Sequence, residues 1–207
     1  MATTFFLGLD LGKVRDPSSI VGVEMIPHRR AFQPTPFEML VVRLAETMPL
    51  GTPYPKVVER TRDITQCGEL KGNCALAVDG TGVGGPVVDM LRAARLGCSV
   101  TEVTLTGGER GSGEAGYERA SVPKRDLFAG IQVLLETGQL KIGNVKEAPR
   151  LMQELMDVRM SMNGSGHVRL GAEGTGQHDD MVVALGLACW RATRRTGTCG
   201  ERGQRLI

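Results

Sequence analysis

Apolar residues recur along the chain with two periods, and the switches between them outline the elements. Thr3–Leu11 (TTFFLGLDL) is an almost continuous apolar run that reaches Asp10 and Gly12, which predicts a buried strand. Ser18–Ile26 (SSIVGVEMI) and Phe37–Leu44 (FEMLVVRL) are β-branched and partly alternating, the pattern of two further strands. The first link, Gly12–Pro17, is short, and the second carries Pro27, Pro34 and Pro36. Short links suit antiparallel neighbours, so the chain is expected to open as a three-stranded meander. The period then changes to that of a helix. Val57, Val58, Thr61 and Ile64 share one face of Pro55–Glu69, and Pro86 opens a second helix with Val87, Met90, Leu91 and Ala94, closed by Gly97. Asn73–Asp79 (NCALAVD) between them reads as a parallel strand buried on both faces, and Cys98–Leu105 as another.

Thr106–Ser121 is rich in glycine and mixed in charge, which predicts a loop. Pro123 starts a helix with Leu127, Phe128, Ile131, Leu134 and Leu135 inward, and Glu147–Asp157 forms another. Val158–Met162 and His167–Gly171, joined by Asn163-Gly164-Ser165-Gly166, form a hairpin, and a final helix covers Asp179–Arg194. The order βββ-α-β-α-β-α, then helix, hairpin and helix, describes one α/β domain over residues 1–195. Residues 196–207 have no period and read as a flexible tail.

A chain of 207 residues suits one domain of ordinary size, and 41% apolar with 23% charged residues is the balance of a soluble globular protein. With 25 basic and 23 acidic residues the net charge is +2, which excludes a polybasic-tail DNA binder but leaves room for a DNA enzyme with a local basic surface. No apolar run of about 18 residues exists, so no membrane partner is expected, and Met1–Gly8 is too short and uncharged for a secretory signal. The five cysteines, Cys67, Cys74, Cys98, Cys189 and Cys199, form no CxxC pair and read as reduced, buried thiols of a cytoplasmic protein.

The chemistry sits in carboxylates at the ends of elements. Asp10 ends the first strand, Asp79 ends the fourth, Asp179 and Asp180 open the last helix, and Asp16 lies in the first turn. A carboxylate in or capping a buried strand is costly unless it is paired or binds a cation. Each acid has a bland alternative: a turn acid for Asp10, Asp16 and Asp79, a helix cap for Asp179. Their convergence on one sheet edge points instead to hard divalent ions, and two such ions about 4 Å apart stabilise the attacking and leaving oxygens of phosphodiester hydrolysis.

Four blocks carry a resemblance: LDLGKVRDPSSIVGVE (Leu9–Glu24), AVDGTGVGGPVVDML (Ala77–Leu91), VPKRDLF (Val122–Phe128) and GQHDDMVVALGLA (Gly176–Ala188). In order and spacing they resemble the C-terminal nuclease domain of phage terminase large subunits, over roughly residues 4–192. That resemblance implies a ribonuclease H-like fold: a central mixed sheet of about five strands, three antiparallel and then parallel, flanked by helices, with an extra hairpin before the last helix. It implies a metal-dependent endonuclease that cuts double-stranded viral DNA concatemers with little sequence specificity. The implied cofactors are two Mg2+ or Mn2+ ions, bridged by Asp10 and held by Asp79 and by Asp180 with Asp179 as second contributor. Asp16 matches an additional acid of some members, and His178 would order a carboxylate or a water. The implied partners are DNA, a terminase ATPase motor, a small subunit and a portal, in the host cytoplasm during virus assembly, with the isolated domain a monomer. Lys124, Arg125, Arg159, Arg169 and His167 are candidate phosphate contacts, with solvated surface charge as their alternative.

Rival readings attach to the same residues. Gly80–Gly85 (GTGVGG) fits a dinucleotide-binding fingerprint, although Asp79 beside a pyrophosphate and three strands before any long helix oppose it. Asp10-Leu11-Gly12 also occurs in actin-like kinases and chaperone ATPases, which need a much longer chain. A Holliday-junction resolvase would keep the fold and the acids, and a packaging adaptor would keep DNA binding without the intact acid set. No Walker A motif is present, so this polypeptide is not expected to hydrolyse ATP by itself.

Overall fold

The computed structural model describes residues 4–12, 16–29, 37–82, 84–107, 118–162, 168–172 and 179–196. The chain opens with β1 (Phe5–Asp10), β2 (Ser19–His28) and β3 (Phe37–Thr47), then α1 (Tyr54–Thr65) and a 3-10 turn at Gly68–Leu70. There follow β4 (Cys74–Asp79), α2 (Gly84–Ala93), β5 (Ser99–Thr106), β6 (Arg119–Pro123), α3 (Lys124–Glu136) and β7 (Leu140–Ile142). The last elements are α4 (Ala148–Asp157), the hairpin β8 (Val158–Met162) and β9 (Val168–Ala172), and α5 (Asp180–Thr196). Seven strands form one sheet in the order β6-β5-β4-β1-β2-β3-β7, and β8 and β9 pair apart from it.

The meander is present: β1 runs antiparallel to β2 and β2 to β3. β4, β5 and β6 then add in parallel beside β1. β1 and β2 pair antiparallel, so the sheet does not open with the leading βαβ unit of a dinucleotide fold, and the glycine run instead follows β4 and leads into α2. The sheet has seven strands where about five are expected. β6 extends the edge beside β5 from within the stretch read as a loop, and the three-residue β7 pairs in parallel with β3. Both are short and take their definition from a neighbour rather than from their own pattern.

Helices cover both faces. One core gathers Phe5, Leu7, Leu9, Leu76 and Val78 beneath Val57, Val58, Val88 and Leu91 of α1 and α2. The other gathers Phe6, Ala75, Ala77 and Val103 with Leu127, Ile131 and Leu151 of α3 and α4 and with α5 from Met181 to Ala192. Buried on both faces, β1 and β4 must be apolar at nearly every position, which is why their sequences show no alternation.

The second core is closest at Gly8. A Cβ there would overlap the carbonyl oxygen of Ala184 and lie 2.7 Å from the amide nitrogen of Ala188. The backbone of α5 therefore rests on the backbone of β1. At Gly186 the helix makes room for side chains of α3 instead, where a Cβ would come within 2.9 Å of Leu127 Cβ. Of the cysteines, Cys74 and Cys189 are buried, Cys98 is half-buried and Cys67 is exposed, which corrects the expectation of buried thiols throughout; the four are free thiols. Cys199 and the expected tail from residue 197 onward lie outside the described residues, and α5 runs on through Thr196.

Gly8→Ala is expected to lose about 3 kcal/mol or more, because the clash is with helix backbone that cannot rotate away. Gly130→Ala, in α3 with open space at its Cβ, gains about 0.5–1 kcal/mol. Urea unfolding of the two variants beside the parent checks both signs.

Candidate active site

β1 and β4 lie side by side in parallel with Leu9 opposite Val78, so Asp10 and Asp79 leave the sheet at the same end. The period-2 rule sends Phe5, Leu7 and Leu9 to the α1/α2 core, and therefore Phe6, Gly8 and Asp10 toward α5; on β4, Ala75, Ala77 and Asp79 face the same way. α5 packs above this face with Ala184 at Gly8 and Asp180 among the charges acting on Asp10, and so runs antiparallel to β1. Four helical residues from Asp180 to Ala184 span about 6 Å, and two strand residues from Gly8 to Asp10 span about 6.6 Å. The backbone contact at Gly8 thus brings the first residue of α5 over Asp10.

Burial pushes the Asp10 carboxyl well above its usual range, and the negative charges of Asp79, Asp180 and Asp179 push it further; the Lys124 ammonium pulls the other way. Asp180 is 8% exposed. Asp179 caps α5, its carbonyl accepting the Val183 N–H at 2.8 Å, while its Oδ2 accepts a hydrogen bond from Lys124 Nζ at 2.7 Å. Asp79 Oδ1 accepts the Thr81 N–H at 2.8 Å, and the Thr81 hydroxyl accepts the Leu105 N–H at 2.8 Å. With Gly82 at φ +84°, this folds the start of the glycine run into a tight turn from β4 toward α2.

The sequence singles out Asp10, Asp79, Asp179 and Asp180, and the structure brings them together. Asp16 it does not: this residue is exposed in the turn before β2, is absent from the charges acting on Asp10, and lines a small pocket with Gly12 and Tyr54. Lys124 is in the cluster, as an ion-pair partner of Asp179. Arg125 is exposed next to it and pairs with Asp126 at 3.4 Å. The backbones of Arg159 and Arg169 lie on the paired strands β8 and β9, with their side chains outside the described ones. His167 and His178 lie outside the described residues.

One residue escaped the sequence reading. Glu154 of α4 is 6% exposed, and its Oε2 accepts the Met181 N–H at 3.0 Å while Oε1 accepts from Arg150 Nε at 3.1 Å. It thereby supplies an acceptor for an N–H in the first turn of α5, which has no partner within the helix. Burial raises the Glu154 carboxyl, offset in part by these two donors. The signal was available: Leu151, Glu154, Leu155 and Val158 follow the helical period, so a carboxylate falls on the inward face.

The donor set is entirely carboxylate oxygen, which fits a hard divalent ion such as Mg2+ or Mn2+. Among the described residues, no group of three or more such side chains is already gathered into a metal-holding shell. The acids share a field, with a lysine ammonium among them.

No protein-family model and no curated protein matches the sequence. Solved structures do match. The large terminase nuclease of thermophilic phage G20c with bound magnesium is 23% identical, with a TM-score of 0.65, over 91% of this chain and 81% of that one. The large terminase nuclease domain of bacteriophage SPP1 with bound Mn is 14% identical, with a TM-score of 0.54, over 91% and 86%. The bacteriophage HK97 large terminase is 15% identical, with a TM-score of 0.53; the match takes in 91% of this chain and 39% of that one.

Two measurements test the geometry of the site. The native pKa of Asp10 is raised above its unfolded value of about 3.9, so protonation favours the folded state. Stability from this group is then lost as pH rises from about 4 through the native pKa. In EDTA, Asp10→Asn is expected to melt higher than the parent at pH 7, by about 2–4 °C for each kcal/mol relieved, and the gap closes toward pH 4. A lower melting temperature at pH 7 would contradict the burial and repulsion described. Glu154→Ala is expected to cost about 1–3 kcal/mol in urea unfolding, and Glu154→Gln, which keeps an acceptor for Met181, less.

The comparisons, with the mixed sheet and its two helical layers, establish the fold as the ribonuclease H-like fold of phage large terminase nuclease domains.

Proposed function

We propose that this chain is a metal-dependent DNA endonuclease that cuts double-stranded viral DNA concatemers during genome packaging. One observation carries the reading. Carboxylates from two strands and one helix meet at one end of the sheet, where burial and the neighbouring negative charges raise the cost of ionising Asp10, in a fold shared with nuclease domains solved with divalent metals bound. A cluster of this kind is unfavourable as a purely structural feature and becomes favourable around a divalent cation.

In this reading Asp10, on which both Asp79 and Asp180 act, would be the common ligand of a two-ion site, with Asp79 on one side and Asp180 with Asp179 on the other. When bound, the ions supply the activation of water and the stabilisation of the leaving 3′-oxygen. The chain's own residues do the rest. The Thr81 turn fixes the Asp79 carboxylate, Glu154 fixes the first turn of α5, and Arg125, exposed beside Lys124, would meet a phosphate through its charge. Contacts to phosphate position DNA without reading its sequence, which fits cutting of little sequence specificity. The further partners proposed are an ATPase motor, a small subunit and a portal, in the host cytoplasm, a reading supported by the match to part of a longer large terminase. The domain by itself is proposed to be a monomer.

Supercoiled plasmid is the direct test. The parent is expected to nick and linearise it with Mn2+ or Mg2+ and not in EDTA. Asp10→Asn, Asp79→Asn and Asp180→Asn should each lose about 100-fold or more. Asp16→Asn should stay near the parent, because Asp16 is outside the cluster. Cleavage insensitive to EDTA or to these substitutions would refute the reading. Preferred cutting of a four-way junction over linear duplex would reassign the same site to a resolvase.

A further inference from the structure

The acid cluster already contains one cation, and it belongs to the chain. Pro123 ends β6 with its backbone extended (φ −60°, ψ 131°), and Lys124 follows as the first residue of α3. Pairing of β6 with β5 sets Pro123 opposite Thr106, which carries Lys124 to the acid end of the sheet. Its ammonium lies 2.7 Å from Asp179 Oδ2, with the two side chains 34% and 19% exposed. It also stands 5.5 Å from the ring centroid of Phe128, a buried residue one helical turn on, and opposes the neighbouring acids in their effect on Asp10. The position is therefore packed, charge-matched and drawn from an element distant in sequence. A lysine free to range over the surface for phosphates would need none of this.

We propose that Lys124 is a tethered counter-ion that holds the place of a divalent ion at Asp179, and that metal loading and DNA binding are linked through its displacement. The proposal rests on the metal-site reading above. In the metal-free domain the ammonium neutralises Asp179 and moderates the charge around Asp10. The ammonium already occupies Asp179 Oδ2 at 2.7 Å, so it would compete with a divalent ion for that oxygen and be repelled by an ion held on the other. A DNA phosphate offers the released ammonium a new anionic partner on the open side of the cluster. Phosphate and metal then assist each other by reciprocal linkage, and the cluster binds metal less tightly until DNA arrives. This would restrain cutting without any additional domain.

The test compares the parent with Lys124→Met, which keeps the stem length and removes the charge, and Lys124→Arg, which keeps the charge. Mn2+ binding is measured by calorimetry without DNA, and thermal stability is measured in EDTA. Lys124→Met is expected to bind Mn2+ about tenfold more tightly than the parent. It should also melt lower in EDTA and recover when Mn2+ is added, with Lys124→Arg close to the parent in both. Unchanged or weaker Mn2+ binding by a folded Lys124→Met overturns the inference. The metal-site reading survives that result if Asp180→Asn still abolishes binding. Mn2+ binding absent from the parent, or untouched by Asp180→Asn, overturns the metal-site reading and this inference with it.

Discussion

Everything at the acid end of this sheet depends on α5 lying directly on β1. The contact is backbone to backbone, and it exists because position 8 carries no side chain. Helices usually pack on sheets through side chains on both elements, which keeps them about 10 Å apart. Here Ala184 and Ala188 meet a glycine, so the helix sinks and its first residues come over the end of the strand. The same small-residue logic at Gly186 lets α3 close on α5, and α3 begins with Lys124. One helix thus brings Asp179 and Asp180 to the strand end that carries Asp10, and meets the helix that carries Lys124.

The cluster that results opposes folding. Burial raises the cost of ionising Asp10, and the negative charges of Asp79, Asp180 and Asp179 add to it. The structure offsets the cost with specific groups: the Thr81 N–H on Asp79, Lys124 on Asp179, and Glu154 on the Met181 N–H beside Asp180. Glu154 is itself a buried carboxylate, kept in place by Arg150 and by the helix N–H. Local unfavourable energy held by a well-packed scaffold is the usual condition of a functional site, since the same charges become favourable when a ligand of opposite sign arrives.

How much of this was legible in the sequence differs from residue to residue. The apolar runs of Thr3–Leu11 and Asn73–Asp79, each ending in Asp, revealed two doubly buried strands with acids at one end, because strand period and burial are local properties. The Asp179-Asp180 pair opening an apolar helix was equally plain. β6 was hidden because Arg119–Pro123 is polar, short and ends in proline, and it is a strand only by virtue of β5 beside it. β7, with three residues, has no pattern to read. Asp16 looked like the other acids in sequence, but an Asp-Pro turn does not steer a side chain toward the sheet end. The Lys124–Asp179 pair spans 55 residues, and no local rule connects them. Glu154 was legible in principle from its place on the apolar face of α4, where a charge needs a partner.

The central claim is that Asp10, Asp79, Asp179 and Asp180 form one divalent-ion site. Diffraction at the manganese absorption edge from crystals soaked in Mn2+ tests it most directly. Anomalous peaks are predicted within coordination distance of Asp10, shared with Asp79 on one side and with Asp180 or Asp179 on the other, with Lys124 Nζ moved off Asp179. Strong peaks elsewhere on a well-ordered domain, with none at Asp10, would contradict the account.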